Sequence, residues 1–260
     1  MNFPELSVHI ENTPAELAVR IADDFVTFLQ RMDYHKNQIN IALSGGSTPN
    51  LLFKKLTNDH YKKVIDWKNI HIFQVDERWV PQDHKDNNFR TLKQLLLDNI
   101  DIPTENIHPM PVTQDEPDTV KNQYIETLRA TMNEHIPKFD LIWLGMGDDG
   151  HTASIFPGYA SKEPIETDEL VSIPFVEKLK SKRMTLTAKV LLHAKLTWFF
   201  ITGENKSGVL REVVHGEYNP ELYPSQIISI SKGKVEFYLD QGAFSELKKL
   251  NYKNSVNLKQ

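Results

Sequence analysis

The 260-residue sequence has no cysteine, which excludes disulfides, thiolate metal sites and cysteine nucleophiles together. It also lacks any run near the roughly 18 to 20 apolar residues of a membrane-spanning helix. The strongest candidate, Trp198-Phe199-Phe200-Ile201, is only strand length. Positive charge is not in excess: 30 Lys and Arg stand against 35 Asp and Glu, a formal net charge of −5. The basic footprint of a nucleic-acid binder is therefore missing, and any anionic ligand has to be gathered locally by a few residues. The opening Met1-Asn2-Phe3-Pro4-Glu5 has neither the basic nor the apolar region of a secretory signal, so a cytoplasmic location is expected. The histidines show no H-E-x-x-H or H-x-H spacing, so no metal and no cofactor is expected. Without a G-x-S-x-G elbow, a serine-hydrolase triad has no support either.

What is present is an ordinary folding composition, 40% hydrophobic and 25% charged, sufficient for a packed core. Thr13-Pro14-Ala15-Glu16 combines a capping Thr, Pro at the first helical position and Glu three residues on. Leu17, Ile21, Phe25 and Leu29 then follow at helical spacing. Ile39–Leu43, Ile70–Val75 and Phe139–Leu144 read as buried strands, and helical patterns at Leu51–Leu56, around Leu92–Leu96 and across residues 118–134 alternate with them. Repeated βα units predict an α/β fold: a Rossmann-like parallel sheet with a mixed edge, helices on both faces, in a single domain spanning residues 1–260. Further strands are expected at Val171–Pro174, Met184–Thr187, Thr197–Ile201, Ile227–Ile230 and Val235–Leu239, with a helix from about Asn205 to His215. The polar 114–118 and 160–168 segments are expected as surface loops, not domain boundaries.

Ligands of such sheets bind at the carboxyl ends of the strands, so the residues just after each strand are the candidates. Ser44-Gly45-Gly46-Ser47-Thr48 offers backbone N–H groups at the start of a helix, which suits a phosphate; the plain alternative is a tight turn with Ser47 or Thr48 as helix cap. Asp76-Glu77-Arg78 puts three charges directly behind an apolar strand. Gly145-Met146-Gly147-Asp148-Asp149-Gly150-His151 sets the carboxylate of Asp149 two residues from His151, a spacing able to orient an imidazole as general base. Arg183 and Lys206 supply a fork and a point charge for an anion.

In this order the segments resemble the 6-phosphogluconolactonase family, within the wider glucosamine-6-phosphate deaminase and isomerase superfamily. The landmarks are Ser-Gly-Gly-Ser-Thr-Pro at 44–49, Val-Asp-Glu-Arg at 75–78 with Asn88-Phe89-Arg90, and Leu-Gly-Met-Gly-Asp-Asp-Gly-His-Thr-Ala-Ser-Ile-Phe-Pro-Gly at 144–158. Arg-Met-Thr-Leu-Thr at 183–187 and Asn205-Lys206 complete the set. The resemblance implies hydrolysis of 6-phosphoglucono-1,5-lactone, with His151 activating water and Asp149 orienting it. It also implies a phosphate held by Ser44, Gly45, Gly46, Ser47, Arg183 and Lys206, and Asp76 and Arg78 on sugar hydroxyls or phosphate. Deaminases of the superfamily carry a glutamate before the proline where this chain has Phe156, and a phenyl ring cannot relay a proton. Asn87 departs from the serine common in lactonases at that place. The expected partner is a small phosphosugar lactone, with neither nucleic acid nor membrane, and a monomer in preference to an oligomer. The rival readings are a phosphosugar isomerase or deaminase and a non-catalytic phosphosugar-binding module. A regulator's DNA-binding segment finds no room before the helix at residue 14.

Overall fold

The computed structural model describes residue 3 and residues 6–112, 115–250 and, in backbone, 256–259. The opening segment, apart from Phe3, and the start of the 114–118 segment lie outside the described residues. In chain order the elements are β1 (Leu6–Glu11), α1 (Pro14–Arg31), β2 (Ile39–Leu43), α2 (Ser47–Leu56), α3 (Asp59–Val64), β3 (Ile70–Gln74), β4 (Asp76–Arg78), α4 (Asn88–Leu95), β5 (Ile107–His108), α5 (Pro117–Met132) and β6 (Leu141–Gly145). They continue with α6 (Tyr159–Glu166), β7 (Val171–Ser172), β8 (Phe175–Val176), β9 (Ser181–Leu186), α7 (Ala188–Leu191), β10 (Leu196–Ile201), α8 (Ser207–His215), β11 (Lys234–Asp240), α9 (Gln241–Lys248) and β12 (Val256–Lys259).

Eight strands form one sheet in the order β12-β1-β11-β10-β6-β2-β3-β5, parallel at every pairing. Antiparallel pairing is set apart in a small second sheet, where β9 pairs with β4, β7 and β8. The apolar strands have period two, and each period feeds a different core. Ile41, Leu43, Leu141, Trp143, Trp198 and Phe200 face one cluster with Leu17, Ile21 and Phe25 of α1 and Leu52 of α2. Ala42, Ile142, Leu144, Phe199 and Ile201 face the other, with Tyr124 and Leu128 of α5 and Leu210 of α8. A strand buried on both faces must be apolar at consecutive positions, which is why β6 and β10 read as unbroken hydrophobic runs. Each such fully buried large side chain contributes about 1.5–3 kcal/mol.

The capping box at Thr13 forms as its sequence predicts: Thr13 Oγ1 accepts from Glu16 N at 3.2 Å, and Glu16 accepts from Thr13 N at 3.0 Å. Two local expectations fail. The Ile227–Ile230 run lies not in a strand but in a 3-10 helix, Pro224–Ile230. A short apolar run is ambiguous by periodicity; here Pro224 starts the turn, and the buried Gln226 side chain ties it to Glu212 O and Glu217 O. Most of the 160–168 segment is α6 rather than loop, with Ser161 buried in it. Pro164 sits near the end of α6, where few helical bonds remain to be lost. β1, β4, β5, β8, β12, α3, α7 and α9 have no counterpart among the elements expected from the sequence.

Candidate active site

The sheet order decides where a site forms. From β2 the chain adds β3 and β5 on one side, whereas β6, β10, β11 and β1 build the other side, so the order reverses between β2 and β6. The loops after these two neighbours diverge to opposite sides and leave a crevice at the carboxyl edge. Leu43 lies in register with Trp143, and Ser44 N donates to Trp143 O at 3.1 Å, pinning the two loops at their roots.

A cavity of about 240 Å³ opens there, lined by Ser44, Gly45, Gly46, Ser47, Asp76, Arg78, Asn88, His151 and Lys206, among others. Sequence-distant candidates thus converge. Asp149 stands behind His151 and lines an adjoining cavity instead. Arg183 lines neither; it lies within β9, opposite Arg78 in the β4–β9 ladder, and donates to Ser181 Oγ and Lys182 O.

The β2–α2 loop is shaped by backbone. Gly46 caps α2 with φ +131°, a conformation that favours glycine. No side chain caps the helix: Thr48 Oγ1 is engaged with Thr202 Oγ1 at 2.8 Å, so the alternative of Ser47 or Thr48 as cap is not what forms. The positive end of a ten-residue helix therefore faces the cavity. Gly45 is required for a different reason: a Cβ there would lie 2.2 Å from Asn88 Oδ1.

The β6 loop is shaped around one side chain. His151 Nδ1 and Asp149 Oδ1 are 2.6 Å apart, and Asp149 Oδ2 accepts from Lys178 Nζ at 3.1 Å. Burial pushes the Asp149 carboxyl up, but the bond and charge of His151 and the bond from Lys178 outweigh it and hold Asp149 well below the usual carboxylate range. An ionised Asp149 accepts a hydrogen bond from Nδ1–H, leaving Nε2 as the basic nitrogen. Gly147 makes room for this ring, since a Cβ there would stand 2.0 Å from His151 Nδ1. Phe156 stacks on the imidazole with centroids 4.2 Å apart. The turn is braced by Gly147 N to His151 O at 2.9 Å and by Thr152 Oγ1 to Gly145 O at 3.0 Å.

Between the two loops, Asp76 accepts from Ser154 Oγ at 2.6 Å. Glu77 is wholly buried, and its oxygens take the N–H groups of Arg78, Asn88 and Phe89 and the Gln74 amide at 2.7 to 2.8 Å. Burial raises the Glu77 carboxyl despite these bonds. Glu77 thereby anchors the start of α4 and sets Arg78 and Asn88 at the cavity. Lys206 is half-buried, and desolvation lowers its ammonium despite the opposing charges of Asp148 and Asp240. Three participants escaped sequence reasoning. Asn88 was only a landmark, Glu77 only one of three charges, and Lys178 carried no signal, because its approach to Asp149 spans 29 positions.

Among the described residues no group of three or more histidine, aspartate or glutamate side chains is placed to hold a metal ion. None of their helices is long and apolar enough to cross a membrane. What the cavity does present is a helix N-terminus without a side-chain cap and an imidazole held by a carboxylate, an arrangement with the chemistry for water activation or proton transfer on a phosphorylated molecule.

The family model described as glucosamine-6-phosphate isomerases/6-phosphogluconolactonase matches residues 12–237. The 6-phosphogluconolactonase of Haemophilus influenzae is 37% identical over 224 residues, covering 86% of this chain and 92% of that protein. That of Synechocystis sp. is 37% identical over 218 residues, 82% of this chain and 86% of that one. The solved 6-phosphogluconolactonase of Trypanosoma brucei superposes with a TM-score of 0.81 at 28% identity, over 94% of this chain and 98% of that one. With the motif order, the sheet topology and the matched length in agreement, the chain belongs to the glucosamine-6-phosphate isomerase/6-phosphogluconolactonase family.

Proposed function

We propose that the protein hydrolyses 6-phosphoglucono-1,5-lactone to 6-phosphogluconate, the second step of the oxidative pentose phosphate pathway, as its named relatives do. The observation that carries the reading is the 2.6 Å Asp149–His151 pair at a cavity that also receives the uncapped end of α2. The phosphate sits on the Ser44–Ser47 loop with Lys206, and Arg183 adds positive charge from beside Arg78 in the β4–β9 ladder. Asp76 and Arg78 take sugar hydroxyls or phosphate. Binding at the far end of the substrate fixes the lactone carbonyl for attack.

His151 Nε2 removes a proton from water as it attacks C1, and Asp149 stabilises the imidazolium that forms. The tetrahedral oxyanion needs donors, which N–H groups of the glycine-rich loop or a nearby cation supply. His151 then returns the proton to the departing ring oxygen. Phe156 favours a lactonase over a deaminase: it packs on the imidazole and has no proton to exchange. The substrate is small and anionic, so the protein acts without nucleic acid or membrane, as a cytoplasmic monomer in this reading.

The test is a coupled assay in which glucose-6-phosphate dehydrogenase generates the lactone and its loss is followed with and without the protein. Decay faster than spontaneous hydrolysis is expected. Decay at the spontaneous rate would overturn the reading, and ammonia released from glucosamine 6-phosphate would install the deaminase in its place. A soak with 6-phosphogluconate is expected to put the phosphate on the Ser44–Ser47 loop.

A further inference from the structure

Resting on the lactonase reading, we propose that Lys178 is a positioning residue for the His151–Asp149 pair, holding one carboxylate oxygen of Asp149 so that the other stays on the imidazole. The two oxygens are divided between two partners: Oδ1 meets His151 Nδ1 at 2.6 Å, and Oδ2 accepts from Lys178 Nζ at 3.1 Å. A carboxylate with one oxygen free can rotate about its Cβ–Cγ bond. With both engaged it is fixed, and the ring it orients is fixed with it.

The backbone is built to deliver this lysine. β8 and β9 form a hairpin, with Phe175 opposite Lys182 and Val176 opposite Ser181. Its tip is a 3-10 turn, Glu177–Leu179, closed by Lys180 at φ +47°, a left-handed conformation that a residue with a side chain rarely adopts. Lys178 thereby reaches from an exposed tip onto a carboxylate whose side chain is only 23% exposed. The other end of β9 pairs with β4, which carries Asp76 and Arg78. One strand therefore braces both the base and the substrate-binding wall.

An ion pair with so exposed a partner adds little to folding stability. Its effect here is on the proton. A cation at the far oxygen draws on the negative charge that would otherwise favour imidazolium, so losing it raises the proton affinity of the ring. The other charges facing the pair are Asp148 on its own loop, Asp76, Arg78 and Lys206 around the cavity, and Asp118, Lys121, Glu163 and Glu177 around the adjoining cavity of about 680 Å³. Lys178 is the cation in direct contact with Asp149.

The experiment compares Lys178→Met, Lys178→Arg and Lys180→Met with the wild type. It reads the pH profile of kcat/KM for the lactone and, independently, the NMR titration of the His151 ring. Lys178→Met is expected to move the acid limb and the ring titration upward together by about half a pH unit, the scale of one charge acting through a partly solvated site. Lys178→Arg is expected to restore most of the shift, and Lys180→Met to leave both unchanged. An unmoved titration in Lys178→Met, a loss equal at every pH, or the same shift from Lys180→Met would overturn the proposal. Should the wild type fail to hydrolyse the lactone, the ring titration still decides the hold of Lys178 on the pair, so the two failures are distinguishable.

Discussion

The loops after β2 and β6 are neighbours at one sheet edge, yet they are built on opposite principles. The β2 loop presents backbone: an uncapped helix end, one glycine at positive φ and one glycine excluded from bearing a Cβ by Asn88. The β6 loop presents one side chain, and its bonds through Gly147, Thr152, Asp149 and Lys178 all serve the placement of the His151 ring. A phosphate far from the reacting bond needs only a fixed field, which main-chain N–H groups provide whatever their side chains. Proton transfer needs a particular nitrogen at a particular place. Changes in the first loop should therefore act on KM and changes in the second on kcat.

The largest effect expected is from His151→Asn. It should lower kcat by about 10²–10⁴ while 6-phosphogluconate still binds, checked by steady-state kinetics and calorimetry. Near-normal kcat in folded protein would move the base to Asp76, the other carboxylate at the cavity, and end the contrast. Asp149→Asn should follow, with a loss within the same range of about 10²–10⁴, because an amide neither enforces the tautomer nor stabilises imidazolium. Its neighbour Asp148→Asn should be nearly silent, and a larger effect there than at Asp149 would break the pairing.

A matched pair of glycine substitutions sharpens the comparison most directly. Gly147→Ala places a methyl 2.0 Å from His151 Nδ1 and should depress kcat; Gly45→Ala places one 2.2 Å from Asn88 Oδ1 and should raise KM. Thermal melts alongside the kinetics separate these effects from unfolding. Lys206→Met should raise KM about ten- to a hundredfold with kcat little changed, as expected for losing one charged contact to phosphate worth about 1.5–3 kcal/mol. The smallest effect is none at all. Prolonged EDTA treatment should leave turnover intact, and a loss restored by a divalent ion would show that the β6 loop serves a metal rather than a proton.

How much of this was legible depends on how far apart the interacting residues lie. The capping box of α1 is complete within four residues, and it forms as its spacing predicts. The Asp149–His151 pair spans two residues and is likewise in place. The Ile227–Ile230 run misled because an apolar stretch of four satisfies a strand or a buried helical turn, and Gln226, reaching back to Glu212 and Glu217, made the choice. Arg183 pairs directly with Arg78 across the β4–β9 ladder, a placement beside the cavity wall that its own sequence neighbourhood does not specify.

By itself the sequence determined the alternation of strands and helices, the two-faced burial of β6 and β10, and the local chemistry of each loop. These depend on residue spacings shorter than one element. Only the tertiary structure decided that the sheet order reverses between β2 and β6, that Glu77 holds Arg78 and Asn88 at the cavity, and that Lys178 closes on Asp149. Those contacts join segments brought together by burying two cores at once, and burial is indifferent to separation along the chain.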